Sequence, residues 1–434
     1  MTSKALNNLS SKVIAVCKEI KLHKPSSGNT TEAQFIPTGK IHRISFGGLG
    51  VTIWYDDHTI RRLCKEISQI AKAHFAKLKE LDINYSSGFI LEILKQNILD
   101  DKYFNSDHVF FRKVNNLFEA RINTDIEKFA NVLIKIIVDE LSSLSSEWIF
   151  IYPLDRNTSI SYAYKDEGIF ILNPSDEKFW KQFIDRFSSA KYWDPKTGKN
   201  IEDKGPLFGA GAPRLWLICI SNGTETSSRH TAAFKMRKFI SVLFSHLYSE
   251  YQNITALNLS QPNTYALQIP ENEDNTGVSQ IIASVGKVLP SIAQPLDISH
   301  ENLRRIKNWY NSTMNMNKEK QRRVTVASHF INSAIFNNDY ERFINFFIAL
   351  DALFGEANKV KKSILSGVDN LFKDIKIKNK MELLYELRSE IVHGGCSTLL
   401  EWKKYEHYER TFNTNPMQDV EYIAMNSLLC YSVN

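Results

Sequence analysis

Cysteine is scarce in this 434-residue chain and what there is lies scattered, at Cys17, Cys64, Cys219, Cys396 and Cys430. No two are separated by only two residues, which points away from both a zinc ribbon and a disulfide scaffold. Thiols so placed fit a reducing, cytoplasmic setting. No run of about 18 apolar residues occurs, so no transmembrane helix is expected. Met1 to Ser11 is polar and lacks the apolar centre of a secretory signal. A strong charge of one sign is missing too. Lys and Arg number 54 against 48 Asp and Glu, a net of +6, which is mild for a dedicated nucleic-acid-binding domain. There is no His-Glu-x-x-His run and no internal repeat. What is present is ordinary for a globular protein, with 43% apolar and 24% charged residues. The length suits two or three domains at about 100–200 residues each.

The patterning changes along the chain. Residues 1–34 read as a flexible N-terminal segment, with Pro25 to Thr31 as a connector by composition. Ile44 to Tyr55 reads as a strand pair broken at Gly47–Gly50. Helical apolar spacing follows at about 59–81, 89–99 and 125–144. Trp148–Tyr152, Ser159–Ala163 and Gly168–Leu172 are short β-rich runs whose turn residues suggest a meander. A helix is expected near 177–187. Arg214–Ile220 is apolar nearly throughout, like a buried central strand. A long helix is expected at about 231–251 and a strand at 264–269. From about Ser299 the β signal vanishes, and six helical segments follow to the end, the first announced by Asp297-Ile-Ser-His300. The expected class is α+β. A mixed α/β region at 35–295, in one or two lobes, precedes an all-α helical-bundle domain at 296–434.

Several familiar sites can be set aside. Gly209-Ala-Gly-Ala-Pro213 precedes a strand, whereas a dinucleotide loop must follow one, so it reads as a turn. Thr197-Gly-Lys199 lacks the first glycine of a P-loop. Phe110-Phe-Arg-Lys113 could stack bases but more simply packs its rings inward. One constellation remains, Met381-Glu-Leu-Leu-Tyr-Glu-Leu-Arg-Ser-Glu-Ile-Val-His-Gly-Gly395. Its leucines and Ile391 form a helical stripe. Arg388 and His393 lie five positions apart, about 140° on an ideal helix. Gly394-Gly395 signals a C-terminal stop at which His393 could turn toward Arg388. A histidine placed there simply to satisfy the helix dipole is the plain alternative. Between Lys359 and Lys380 stand Lys359, Lys361, Lys362, Lys373, Lys376, Lys378 and Lys380 against only Asp369 and Asp374. This local excess is close to the whole chain's, and it reads either as a solvated face or as a track for a phosphate backbone.

The string Leu387-Arg-Ser-Glu-Ile-Val-His-Gly394 resembles the Arg-x4-His signature of HEPN domains, in particular the Apea-like branch. Upstream, Arg342-Phe-Ile-Asn-Phe-Phe-Ile-Ala-Leu-Asp-Ala-Leu-Phe-Gly355 resembles the helix that precedes the motif in that family, with Asp351 where Glu is usual. The resemblance covers about the last third of the chain. It implies a metal-independent endoribonuclease with no cofactor, acting as a homodimer on RNA. His393 would take the proton of a 2′-hydroxyl, and Arg388 would hold the scissile phosphate. Ser389, Glu390 and Tyr385 would support them, and Asp351 could pair with Arg388. The lysines from 359 to 380 would carry the RNA. The family setting implies antiviral defence by abortive infection, or a toxin-type response, with the N-terminal region sensing a phage-derived or other trigger. A non-catalytic RNA-binding or dimerisation module, with a ligand site in the N-terminal region, is the alternative from a different class.

Overall fold

The computed structural model describes residues 3–22, 39–46, 49–75, 78–79, 81–98, 102–111, 114–122, 125–143, 146–154, 158–160, 164–166, 168–173, 175–194, 196, 199–200, 215–250, 256–257, 265–271, 281–284, 288, 291–292 and 296–431. The fold is α+β with a helical C-terminal region, and the chain divides into two compact units. The first comprises residues 1–147, 222–228 and 274–277, and the second comprises the rest.

The first unit is built on helices α1 (Ser3–Glu19), α2 (Asp57–His74), α3 (Ile83–Gln96), α4 (Ser106–Phe111) and α5 (Ile126–Ser143). A three-stranded antiparallel sheet accompanies them, in the order Lys21–Leu22, Leu49–Asp56, Gly39–Phe46. The last two strands are the expected pair. Residues 3–19 are helical, where the sequence reading expected a flexible segment. The reason is a narrow stripe at Leu9, Val13 and Val16, four and three residues apart, all buried in the core of this unit. The rest of that segment, from residue 23, lies outside the described residues. Helices α2 and α3 start where short acids cap them. Asp56 accepts from the Thr59 amide at 2.9 Å, and Asp82 from the Tyr85 amide at 2.8 Å. Burial pushes the Cys17 and Cys64 thiols up to about 12, which keeps them protonated and unreactive at neutral pH.

The second unit opens with a six-stranded sheet. Its order is Ile281–Ser284, Tyr265–Pro270, Ser146–Pro153, Trp216–Gly223, Ile169–Leu172, Tyr164–Asp166. The expected meander over 148–172 does not form. Trp216–Gly223 lies between Ser146–Pro153 and Ile169–Leu172, and Thr158–Ile160 leaves to pair in parallel with Leu296–Ile298. An apolar strand needs cover on both faces, and here Leu217 and Cys219 lie in one apolar core and Trp216 and Ile218 in another. Alternation then sorts the side chains. Trp148, Phe150 and Tyr152 share a core with α7 (Glu225–Glu250), while Ile149 and Ile151 share one with Trp180 and Phe183 of α6 (Glu177–Arg186).

Seven helices complete this unit: α8 (His300–Met314), α9 (Lys318–Phe336), α10 (Asp339–Phe354), α11 (Val360–Phe372), α12 (Ile375–Val392), α13 (Tyr405–Phe412) and α14 (Pro416–Cys430). All but the short α13 match the sequence periodicity. Ser299 and Asn302 close a capping box at the start of α8, as the Asp297–His300 signal implied. The switch from β to α near residue 296 is not a gap between compact bodies. One apolar core runs from Trp148 and Leu217 through Phe239 of α7 to Leu350, Leu384 and Leu428. Buried polar contacts reinforce it. Ser241 donates to the Ser328 carbonyl at 2.6 Å, and the Trp309 indole to the Leu428 carbonyl at 3.1 Å. Among the described residues, no helix is long and apolar enough to cross a membrane. Leu350 is fully buried at the centre of α10, so Leu350→Ala is expected to cost about 2–5 kcal/mol, read from urea unfolding followed by tryptophan fluorescence.

Candidate active site

Helix α12 carries the Arg-x4-His string. Asp374 starts it by accepting from the Lys376 amide at 2.7 Å. Only Met381, Leu384 and Leu387 are fully buried, a stripe three residues apart that seats the helix in the core. Its end is a Schellman motif. The Gly395 amide donates to the Glu390 carbonyl at 2.7 Å and the Gly394 amide to the Ile391 carbonyl at 3.2 Å. Gly394 has φ +76°, the left-handed turn that glycine adopts without strain. His393 is therefore the cap residue, with φ −96° and ψ 7°, and its side chain is exposed. The stop expected at the glycine pair forms where the sequence placed it.

Arg388 is half-buried and lies against the ring of Tyr385, with Cζ 5.8 Å from the ring centroid. Lys361 of α11 approaches the same ring at 5.5 Å, and Phe347 of α10 meets it edge-on at 6.1 Å. Tyr385 is thus a platform on which two cations converge. Among the described residues, neither Arg388 nor His393 has a side-chain hydrogen bond or ion pair. Ser389 reaches His393 through its backbone, its carbonyl accepting from the His393 amide at 3.1 Å. Glu390 borders the terminal turn, and its charge, with that of Glu401, adds to burial in raising the Cys396 thiol.

Asp351 departs from expectation. Among the described residues, no hydrogen bond or ion pair joins it to Arg388. Its carboxylate folds over the end of its own helix, filling the space that Gly355 leaves by lacking a Cβ. Arg323 of α9 closes that end, donating to the Leu353 and Gly355 carbonyls at 3.1 and 3.0 Å.

The seven lysines separate into two kinds. Lys359, Lys361, Lys362, Lys373 and Lys376 are exposed. Lys378 is half-exposed and stands 3.6 Å from Asp369, a loose surface pair. Lys380 belongs to the interior instead, which corrects its place in an RNA track. It meets Asp419 at 2.7 Å and lies 5.6 Å from the Phe412 ring centroid. Asp419 also accepts from the Tyr408 hydroxyl at 2.8 Å and the Thr414 hydroxyl at 2.5 Å. Burial and that acid push the Tyr408 hydroxyl far up. Nothing local in the sequence marks this network, since Lys380 and Asp419 are 39 residues apart.

Between α11 and α12 lies an open cleft of about 380 Å³, lined by Lys361, Lys362, Leu365, Ser366, Asp369, Lys378 and Glu382. Three of the expected cationic residues thus face one space, Lys361 and Lys362 from α11 and Lys378 from α12, the helix that carries the motif. Gly209–Pro213 and the side chains of Phe110–Lys113 lie outside the described residues, as do Thr197 and Gly198. Among the described residues, no group of three His, Cys, Asp or Glu side chains is arranged to hold a metal ion. Comparison with family models, curated proteins and solved structures finds no match to this chain.

The division of the lysines is testable. Lys380→Met leaves the Asp419 carboxylate buried without its cation and is expected to destabilise the protein by about 3 kcal/mol. Lys376→Met on the exposed face should change stability by less than about 0.5 kcal/mol. Paired urea titrations compare the two.

Proposed function

We propose that the helical region is a HEPN-type endoribonuclease that cuts RNA by attack of its own 2′-hydroxyl, with Arg388 and His393 as catalytic residues. The observation that carries this is their state at the end of α12. His393 caps a sharply closed helix terminus and Arg388 stands five residues before it, and neither is tied into a hydrogen bond or ion pair among the described residues. Arg388 is half-buried and, among the described residues, meets no carboxylate, which suits a site awaiting an anion.

In this reading Arg388 holds the non-bridging phosphate oxygens and stabilises the charge that grows on them. His393 removes the 2′-proton, work that suits the one side-chain type that ordinarily exchanges protons near neutrality. The 2′-oxygen bonds to phosphorus as the bond to the 5′-oxygen breaks. The products are a 2′,3′-cyclic phosphate and a 5′-hydroxyl. Attacking and leaving oxygens lie in line on opposite sides of phosphorus, so one imidazole cannot serve both. A second copy of the chain supplies a protonated histidine for the leaving oxygen, which is the role of the homodimer. No step calls for a metal or a cofactor. Ser389, Glu390 and Tyr385 act as positioning residues. The first unit and the sheet restrain the enzyme until a trigger, phage-derived or other, releases it, and the setting is cytoplasmic antiviral defence.

The test is incubation of the purified full chain with total RNA in EDTA. Cleavage should fall at least about 10²-fold in both Arg388→Ala and His393→Ala, with folding unchanged. Wild type that leaves RNA intact while both variants still bind it would favour a binding or dimerisation module instead.

A further inference from the structure

The cleft between α11 and α12 has a composition that narrows what it can hold. Lys361 and Lys362 enter from one wall and Lys378 from the other, with Asp369 and Glu382 beside them. Three cations against two carboxylates leave a single positive charge. That matches one phosphodiester and not a terminal phosphate or a nucleoside triphosphate, whose higher charge the two acids would repel. The volume, about 380 Å³, stands at the small end of ligand sites and suits one nucleotide. Leu365 offers apolar surface to a sugar or base, and Ser366 a hydroxyl.

Two features set the cleft in relation to the motif. Lys361 belongs to the cleft and also approaches the Tyr385 ring, which Arg388 flanks from one turn further on. Glu382 and Arg388 are six residues apart on α12, about 9 Å along the axis. A strand whose scissile phosphate lies on Arg388 therefore passes over Tyr385 toward the cleft. Glu382 is exposed, and among the described residues it has no hydrogen bond or ion pair. A carboxylate accepts and cannot donate, so beside a base it favours an exocyclic amino group over a carbonyl.

We infer that this cleft is a subsite for a nucleotide flanking the scissile phosphate of single-stranded RNA, with Lys362 and Lys378 holding its phosphodiester and Glu382 selecting an amino-bearing base over uracil. The inference rests on the nuclease reading for its substrate and adds to it a place of recognition. The loose Lys378–Asp369 pair opens at little cost when the phosphate enters.

The test uses the full chain carrying His393→Ala, so that RNA is bound and not cut, with fluorescently labelled oligo(C) and oligo(U). These probes differ at the amino group in question. Oligo(C) should bind about tenfold more tightly than oligo(U). Adding Glu382→Ala should erase that preference while slightly tightening binding overall, because a charge facing the phosphate is gone. Adding Lys362→Ala with Lys378→Ala should weaken both probes by about tenfold or more and make binding less dependent on salt. Arg410→Ala, at an exposed pair with Glu406 on α13, controls for loss of charge alone. Equal binding of the two probes, or cleft variants that behave like the control, overturns the inference. If wild type also cuts RNA in that case, the nuclease reading stands and only the subsite fails. If the chain binds neither probe while wild type cuts total RNA, only the subsite fails; if it neither binds the probes nor cuts RNA, both fail. If the cleft-dependent preference is seen but wild type never cuts, the subsite stands and the nuclease reading falls.

Discussion

The site depends on how little of α12 is buried. Met381, Leu384 and Leu387 are the fully buried side chains of the helix, and Ile377, Leu383, Tyr385 and Ile391 pack partly buried beside them. At about 25 cal/mol per Å² of apolar surface, a narrow stripe of this kind holds a helix only if it fits tightly. The remaining faces are then open to polar residues. Lys378, Glu382, Tyr385 and Ser389 follow one another along one side, and Arg388 stands on its shoulder. The Schellman turn at Gly394 and Gly395 ends the helix abruptly, which leaves His393 exposed at the tip and not buried under a continuing coil.

Around this helix the charges divide by depth. Lys380 with Asp419, and Arg342 with the buried Glu421, secure α12 and α10 to the C-terminal helices. Burial raises the Glu421 carboxyl, and Arg342 opposes that shift. Such buried pairs specify how helices meet more than they add stability. The outer lysines do no comparable structural work. Among the described residues, Lys361 approaches the Tyr385 ring and Lys378 makes a loose pair with Asp369, so the basic excess seen as one block in the sequence is two populations in space.

Much of this was legible in the sequence, unevenly and for physical reasons. Helices α8 to α12 and α14 announce themselves by apolar period and by caps such as Ser299 and Gly394, because those signals are local. The order of the six-stranded sheet is not local. Nothing in Trp148–Tyr152 or Gly168–Leu172 says that Trp216–Gly223 will come between them. Helix α1 was hidden because Leu9, Val13 and Val16 are set among serines and asparagines. Arg388 and His393 were readable from a spaced motif. The inward turn of Lys380 was not, since its partner comes 39 residues later, and the turning of Asp351 toward Gly355 depends on a missing Cβ rather than on any charge pattern.

In the proposed reaction the RNA's own 2′-oxygen is the nucleophile, and His393 takes its proton. The most direct measurement compares cleavage of one RNA with its fully 2′-O-methylated counterpart by the wild-type chain in EDTA, with the ends of the products identified. Attack by the 2′-oxygen gives 2′,3′-cyclic phosphate and 5′-hydroxyl ends from the first and no cleavage of the second. Cleavage of the methylated strand, or 5′-phosphate ends from the natural one, would contradict it.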